Sequence, residues 1–286
     1  MADPLSEARA ALEAAGQLPD AELDIAATAL QLARIDAPEA DWGGGAAHLS
    51  ELARAAVVAA ADDPAADAGD PLRRAVVLAS VMQDRFGYAG DRETYEAPSN
   101  ANLLRVIERR RGLPVALGLL WLHAAEAAGW AAHGLDFPGH FLIALEGPPG
   151  GLGGGAVVDP FHGGGPLQAP ELRALLKATQ GPQAELHPGM LGPVARRDVL
   201  LRLQNNIKLR RLRAGDLAGA LACTEDMLRF APDTAPLWRE AALMHQRLDR
   251  IGAALQCLDR FLALVPEGDA AERARALAVE LRQRLH

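Results

Sequence analysis

His140 and Asp159 are the residues of this chain whose types and surroundings point most directly to chemistry. The first stands in Phe137-Pro138-Gly139-His140-Phe141-Leu142-Ile143-Ala144-Leu145, the second in Ala156-Val157-Val158-Asp159-Pro160-Phe161. Each begins or ends an apolar run rich in β-branched and aromatic residues, and their separation of 19 positions suits two strands joined by a loose hairpin. That arrangement sets an imidazole beside a carboxylate, the acid-base half of a site. The reacting half is missing. Upstream, the run Gly112 to Leu122 opens a helix and holds no Cys, Ser or Thr.

Other polar residues rank below this pair. His162 follows Asp159 by three positions, so a metal site of His140, Asp159 and His162 is conceivable. Three ligands beside a glycine-rich loop, without a thiolate, make it the lesser reading, and no metal or cofactor is expected. Tyr95, Asn100 and Asn102 are candidates to line a cleft, with Asn100 equally suited to cap the following helix. His123 and Glu126 share a helix face and read as a solvated edge. Gly153-Gly154-Gly155 is no phosphate loop, because no Lys-Ser/Thr and helix follow it.

The elements that must position these residues change character along the chain. Helical spacing in Leu23-Ile25-Ala26-Leu30-Leu32-Ile35 and Leu49-Leu52-Ala56-Val57, and Pro71 ahead of Leu72-Val76-Val77-Leu78-Val81-Met82, predict a helical front over residues 5–128. Residues 41–46, with three glycines, and 62–70 read as loops. From Trp130 to Asp159 the pattern turns to short strands, with Gly147 to Gly155 as a mobile hairpin connection, and residues 171–178 form a short helix. The last third repeats itself: Ala220, Leu221, Cys223, Leu228 and Pro232 recur as Ala254, Leu255, Cys257, Leu262 and Pro266, each 34 residues on. That is the tetratricopeptide (TPR) period. Helices over about 196–213 and 270–285 complete the stack, since such repeats bury their faces only against neighbours. The expected fold is α+β followed by all-α, divided into residues 1–192 and 193–286.

Composition narrows the function classes. The chain of 286 residues is half apolar and carries a net charge of −8, with only Lys177 and Lys208 among its 29 basic residues. An acidic balance argues against nucleic acid and anionic membranes. Arg109-Arg110-Arg111 ends a helical run, where positive charge complements the helix dipole. The first residues lack the basic and apolar segments of a signal peptide, and His123 and Glu126 interrupt the most apolar stretch, so a cytoplasmic protein without a membrane span is expected. Cys223 and Cys257 fall on apolar helix faces and read as small core residues.

Phe86-Gly87-Tyr88, Pro98-Ser99-Asn100-Ala101-Asn102-Leu103-Leu104, the run Glu108 to Leu117, Pro138-Gly139-His140-Phe141-Leu142 and Asp159-Pro160-Phe161-His162-Gly163-Gly164 resemble the bacterial SirB-type proteins. That family joins a transglutaminase-like domain, with a papain-like core, to TPR-like helices, and the resemblance covers about residues 20–285. It implies that His140 and Asp159 occupy the His and Asp positions of a Cys-His-Asp site. A thiolate in such a site is stabilised by a helix N-terminus. The missing nucleophile then belongs in the first turn of the helix at Pro114, at Ala116 or within a residue or two of it. Neither Pro114 nor Val115 nor Ala116 can attack anything.

Two readings of function stand at this point. In the first, the chain is a non-catalytic or diverged transglutaminase-like protein, a regulatory or adaptor module that binds a protein or peptide through its TPR helices. Arg239 is the expected partner contact and Trp238, beside it, the expected packing residue. In the second, it is an amide or peptide hydrolase or transferase in which His140 and Asp159 activate water directly.

Overall fold

Aspartates and prolines set where the helices begin. The structure, a computed structural model, describes residues 3–147, 155–187 and 189–284. Asp3 caps α1 (Pro4–Gly16) and Asp24 caps α2 (Ile25–Asp36), each accepting a backbone N–H of the first turn. Asp41, Asp63 and Asp70 do the same for α3 (Trp42–Ala61), the single turn α4 (Pro64–Asp67) and α5 (Pro71–Ala79), which runs on into a π-turn at Ser80–Arg85. Residues 41–46, expected as a loop, are therefore mostly helix. Asp41 takes the Gly44 N–H at 2.9 Å, and a Cβ on Gly45 would lie 2.4 Å from Leu104 Cδ2, so that glycine is where α3 meets its neighbours closely.

A parallel pair of two-residue strands, β1 (Ala89–Gly90) and β2 (Arg111–Gly112), brackets α6 (Leu103–Arg109). Then comes α7 (Pro114–Ala127), buried over eleven residues and packed against α3 and the sheet. The sheet has the order β6-β5-β4-β3-β7, antiparallel throughout: β3 (Ala132–Leu135), β4 (Leu142–Leu145), β5 (Ala156–Val158), β6 (Pro166–Leu167) and β7 (Pro193–Val194). The hairpin connection expected over Gly147 to Gly155 falls mostly on residues 148–154, outside those described. Phe141 keys the sheet to α7. Its ring fills the space left by Gly118, where a Cβ would lie 2.4 Å from Cε1. After β6, α8 (Ala169–Gln180) lays Leu172 and Leu176 on Leu135, Phe137 and Leu142.

The remaining helices are α9 (Arg196–Arg213), α10 (Leu217–Phe230), α11 (Ala235–Arg247), α12 (Ile251–Leu264) and α13 (Asp269–Gln283). The ends of α12 lie 34 residues beyond those of α10, and consecutive helices pack in order from α10 to α13. Ala220, Ala254, Cys223 and Cys257 are all buried, as small residues at helix contacts should be. The α+β core with a helical repeat after it is thus the observed class.

The chain divides into two compact units, residues 19–203 and residues 1–18 with 204–286. The expected division at 192/193 differs from this at both ends. Leu12 is fully buried and α1 packs on α10, a pairing that chain order does not reveal. Among the described residues no helix is long and apolar enough to cross a membrane.

Candidate functional site

Two turns deliver the central pair. At Phe137-Pro138-Gly139-His140 the His140 N–H returns to the Phe137 carbonyl at 3.1 Å, and Gly139 has φ of 72°, a conformation that suits glycine after proline. His140 then leads into β4. The β4–β5 register sets Ile143 opposite Val158, which brings Asp159, just past β5, alongside the entry to β4. The His140 Nε2 lies 3.0 and 2.9 Å from the two carboxylate oxygens of Asp159. Both residues are buried, at 7% and 3% exposure.

Asp159 holds both a turn and the imidazoles. Oδ1 accepts the backbone N–H of Phe161 at 2.9 Å and of His162 at 3.3 Å, so the turn after β5 is built on the carboxylate itself. Oδ2 faces two imidazoles, His140 Nε2 at 2.9 Å and His162 Nδ1 at 2.6 Å. Burial pushes the Asp159 carboxyl up, yet the imidazoles, His140 first, outweigh it and hold the group below its ordinary 3.8. An ionised Asp159 accepting at His140 Nε2 fixes the Nε2–H tautomer, which leaves Nδ1 as the basic nitrogen. Arg202 on α9 donates to the His140 carbonyl at 2.5 Å and to Asp136 at 2.9 Å. Nothing in the sequence singled it out, because its role arises from a backbone oxygen.

An aromatic layer surrounds the pair. Phe161 meets His140 edge-to-face with ring centres 6.0 Å apart, and Tyr95 meets Phe161 likewise at 5.9 Å. Gly90 has no side chain where the Phe161 ring lies, and Gly164, at φ 65°, leaves room for Trp121 of α7. Half-exposed His162 and exposed Tyr95 are the outward members of the group.

Asn100 and Asn102, candidates to line the cleft, are instead spent inside the scaffold. Asn100, fully buried, donates to the Thr94 carbonyl at 2.6 Å and accepts from Arg109 at 2.7 Å. Asn102 caps α6 and donates to the Ala33 carbonyl at 3.0 Å. The arginine run is likewise structural: Arg109 pairs with Asp91 at 2.7 Å, Arg110 donates to His48 and Tyr88, and Arg111 to the Gly87 carbonyl. Thr94 and Arg109 bind Asp91 and so fix the loop that carries Tyr95. His123 bonds the Leu49 carbonyl, and Glu126 pairs with Arg196. Pro114, Val115 and Ala116, where the resemblance puts a nucleophile, are all buried.

The second unit holds a cavity of about 590 Å³ among α1, α10, α11 and α12. Trp238, His245, Cys257 and Arg260 line it, with Arg260 over the Trp238 ring at 5.6 Å and the Trp238 Nε1–H donating to the Pro232 carbonyl at 2.7 Å. Trp238 is thus half-buried at a cavity wall instead of closed in a core, and Arg239 is exposed and does not line the cavity. His245 reaches Glu225 through Nε2 at 3.2 Å, while its buried Nδ1 has no hydrogen-bond partner.

Comparison with known proteins gives a consistent result. The transglutaminase-like superfamily matches over residues 46–205 and the tetratricopeptide repeat over 207–278. A "UPF0162 protein" of Xylella fastidiosa is 32% identical over 214 residues, 74% of each chain. Another of Vibrio cholerae is 32% identical over 196 residues, 67% of this chain and 70% of that one. "Protein SirB1" of Salmonella typhimurium is 26% identical over 199 residues, 70% of this chain and 72% of its own length.

Proposed function

For a chain that belongs to the transglutaminase-like superfamily, in its SirB-type bacterial group with C-terminal tetratricopeptide helices, we propose a regulatory or adaptor protein that binds a protein or peptide segment without covalent chemistry. One observation carries this reading. The first turn of α7 offers Pro114, Val115 and Ala116, buried and inert, while the His140–Asp159 pair stays intact. A general base without a nucleophile on the protein forms no acyl intermediate, which removes covalent acyl transfer and favours binding as the site's role. Cys223 and Cys257 do not replace the missing thiol. Both are buried in repeat helices, and burial first, with Glu225 second, pushes the Cys257 thiol up to about 11.

The repeat helices supply the partner surface. Stacked helical pairs present a concave face for a peptide or a helix. In the cavity beside α11, a tryptophan with an arginine over its ring supplies the residue types that dominate binding energy at interfaces. Charge selects the partner class: with a net charge of −8 the chain suits a polypeptide better than a polyanion.

The test is stoichiometric capture by the tagged full-length protein after brief crosslinking in cells, in parallel with Arg260→Glu, Arg239→Ala and His140→Ala. Far-ultraviolet circular dichroism and melting confirm that each variant folds. The reading expects one polypeptide held near 1:1 by the wild type and by His140→Ala, and lost with Arg260→Glu. Capture unchanged in Arg260→Glu and Arg239→Ala, or none by the wild type, would remove the repeat helices from the account.

A further inference from the structure

His162 is the part of the site that the degenerate pair does not explain. One carboxylate is enough to hold one imidazole in its tautomer, as Asp159 holds His140. Here a second imidazole converges on the same oxygen: His162 Nδ1 lies 2.6 Å from Asp159 Oδ2, and His140 Nε2 lies 2.9 Å from it. The two rings are stacked at 24° with centres 5.5 Å apart. The three donor atoms, two imidazole nitrogens and a carboxylate oxygen, all lie within 4.8 Å of one another.

We propose that His140, Asp159 and His162 bind one divalent first-row transition-metal ion, with zinc the ion their donors suit best. Two imidazoles and a carboxylate are the ligand set of three-ligand zinc sites, and imidazole nitrogen selects such ions over magnesium and calcium. The distances suit it as well. Metal–nitrogen and metal–oxygen bonds of about 2.0–2.2 Å put tetrahedral ligand atoms roughly 3.3–3.5 Å apart. Two of the three pairs are already closer than that, so binding replaces the shared hydrogen bonds and needs only side-chain adjustment. Each bond that now takes a proton from an imidazole N–H would take the ion instead.

The surroundings hold the ligands in place before any ion arrives. Asp159 Oδ1 is tied to the Phe161 and His162 N–H groups, and Oδ2 faces both imidazoles. The Gly164 N–H returns to the Asp159 carbonyl at 2.7 Å, and Trp121 packs where a Gly164 side chain would be, which fixes the turn bearing His162. His140 and Asp159 are closed off, whereas the His162 side chain is 42% exposed and gives solvent and an ion a way in. With three protein ligands, a fourth position stays open for water or for a group of a bound partner. This inference is independent of the partner-binding reading, which needs no ion.

Full-length protein, tag removed and stripped with a chelator, should be titrated with Co2+ while visible absorption is followed, then with Zn2+ and Mg2+ in separate arms. The expected result is one Co2+ per chain with ligand-field bands of a low-symmetry site, bleached by one equivalent of Zn2+ and untouched by Mg2+. Exposed His162 can be changed without touching the core, so H162A is the deciding variant: affinity should fall by at least about 100-fold while the apo melting curve is kept. D159N should lose binding as well, and H187A, at an exposed histidine elsewhere, should bind like the wild type. Wild-type protein without the 1:1 Co2+ bands, or H162A binding as tightly as the wild type, would overturn the proposal.

Discussion

Asp159→Ala removes the acceptor at which four donors meet, and its cost can be worked out from the contacts. His140 Nε2 would be left buried and unpartnered, and the Phe161 N–H, also buried, would lose its acceptor. Each such orphan costs about 1–3 kcal/mol. The His162 side chain turns to water at little cost, because it is 42% exposed. The sum is about 2–6 kcal/mol, or roughly 4–24 °C in the melting temperature of a unit of this size. Asp159→Asn should cost less than half as much, since its amide still accepts from the turn and can donate to the imidazoles once they change tautomer. Guanidinium unfolding with equal slopes for the three proteins gives the comparison, and nitrogen chemical shifts of the imidazoles report the tautomers. The wild type should show His140 as Nε2–H. An alanine variant as stable as the wild type, or an Nδ1–H tautomer at His140, would refute the reasoning.

Three further outcomes follow from the structure. Burial first, then the Arg110 guanidinium, hold His48 near a pKa of about 4 against an ordinary 6.5, so the unfolded chain takes up the proton first. Stability should therefore fall as pH drops from 6.5 towards 4, by up to about 3 kcal/mol, and the fall should be shallower in His48→Gln, as urea titrations at stepped pH will read. Gly164→Ala puts a methyl group 2.0 Å from Trp121 Cη2 at a φ of 65°, and should destabilise by roughly 2–4 kcal/mol with a changed Trp121 fluorescence. Iodoacetamide at pH 8 should leave Cys223 and Cys257 unmodified over hours in the native protein and label both in denaturant, as peptide mass mapping will show.

The site was legible where its chemistry follows chain order. Pro138-Gly139 and Asp159-Pro160 are turn sequences beside strand-type runs, so the sequence places His140 and Asp159 at neighbouring strand ends, and the 34-residue offset of Ala220, Cys223 and their partners marks the repeat directly. What it could not give is whatever depends on close approach. The glycines of residues 43–45 look like a loop until the Leu104 side chain lies against Gly45. Asn100 and Asn102 look like surface polar groups until the carbonyls of Thr94 and Ala33 are found against them. Leu12 looks like any amphipathic helix residue, and only packing shows that α1 belongs with α10.

The central claim is that this site forms no covalent bond to its ligand. Its most direct test is the intact mass of full-length protein, quenched at times from milliseconds to hours after mixing with an activated peptide ester and with a glutamine-containing peptide plus an amine. The account predicts the unmodified mass at every time and unaltered peptides of both kinds. An acyl adduct that maps to residues 112–122, or to Cys223 or Cys257, would contradict it.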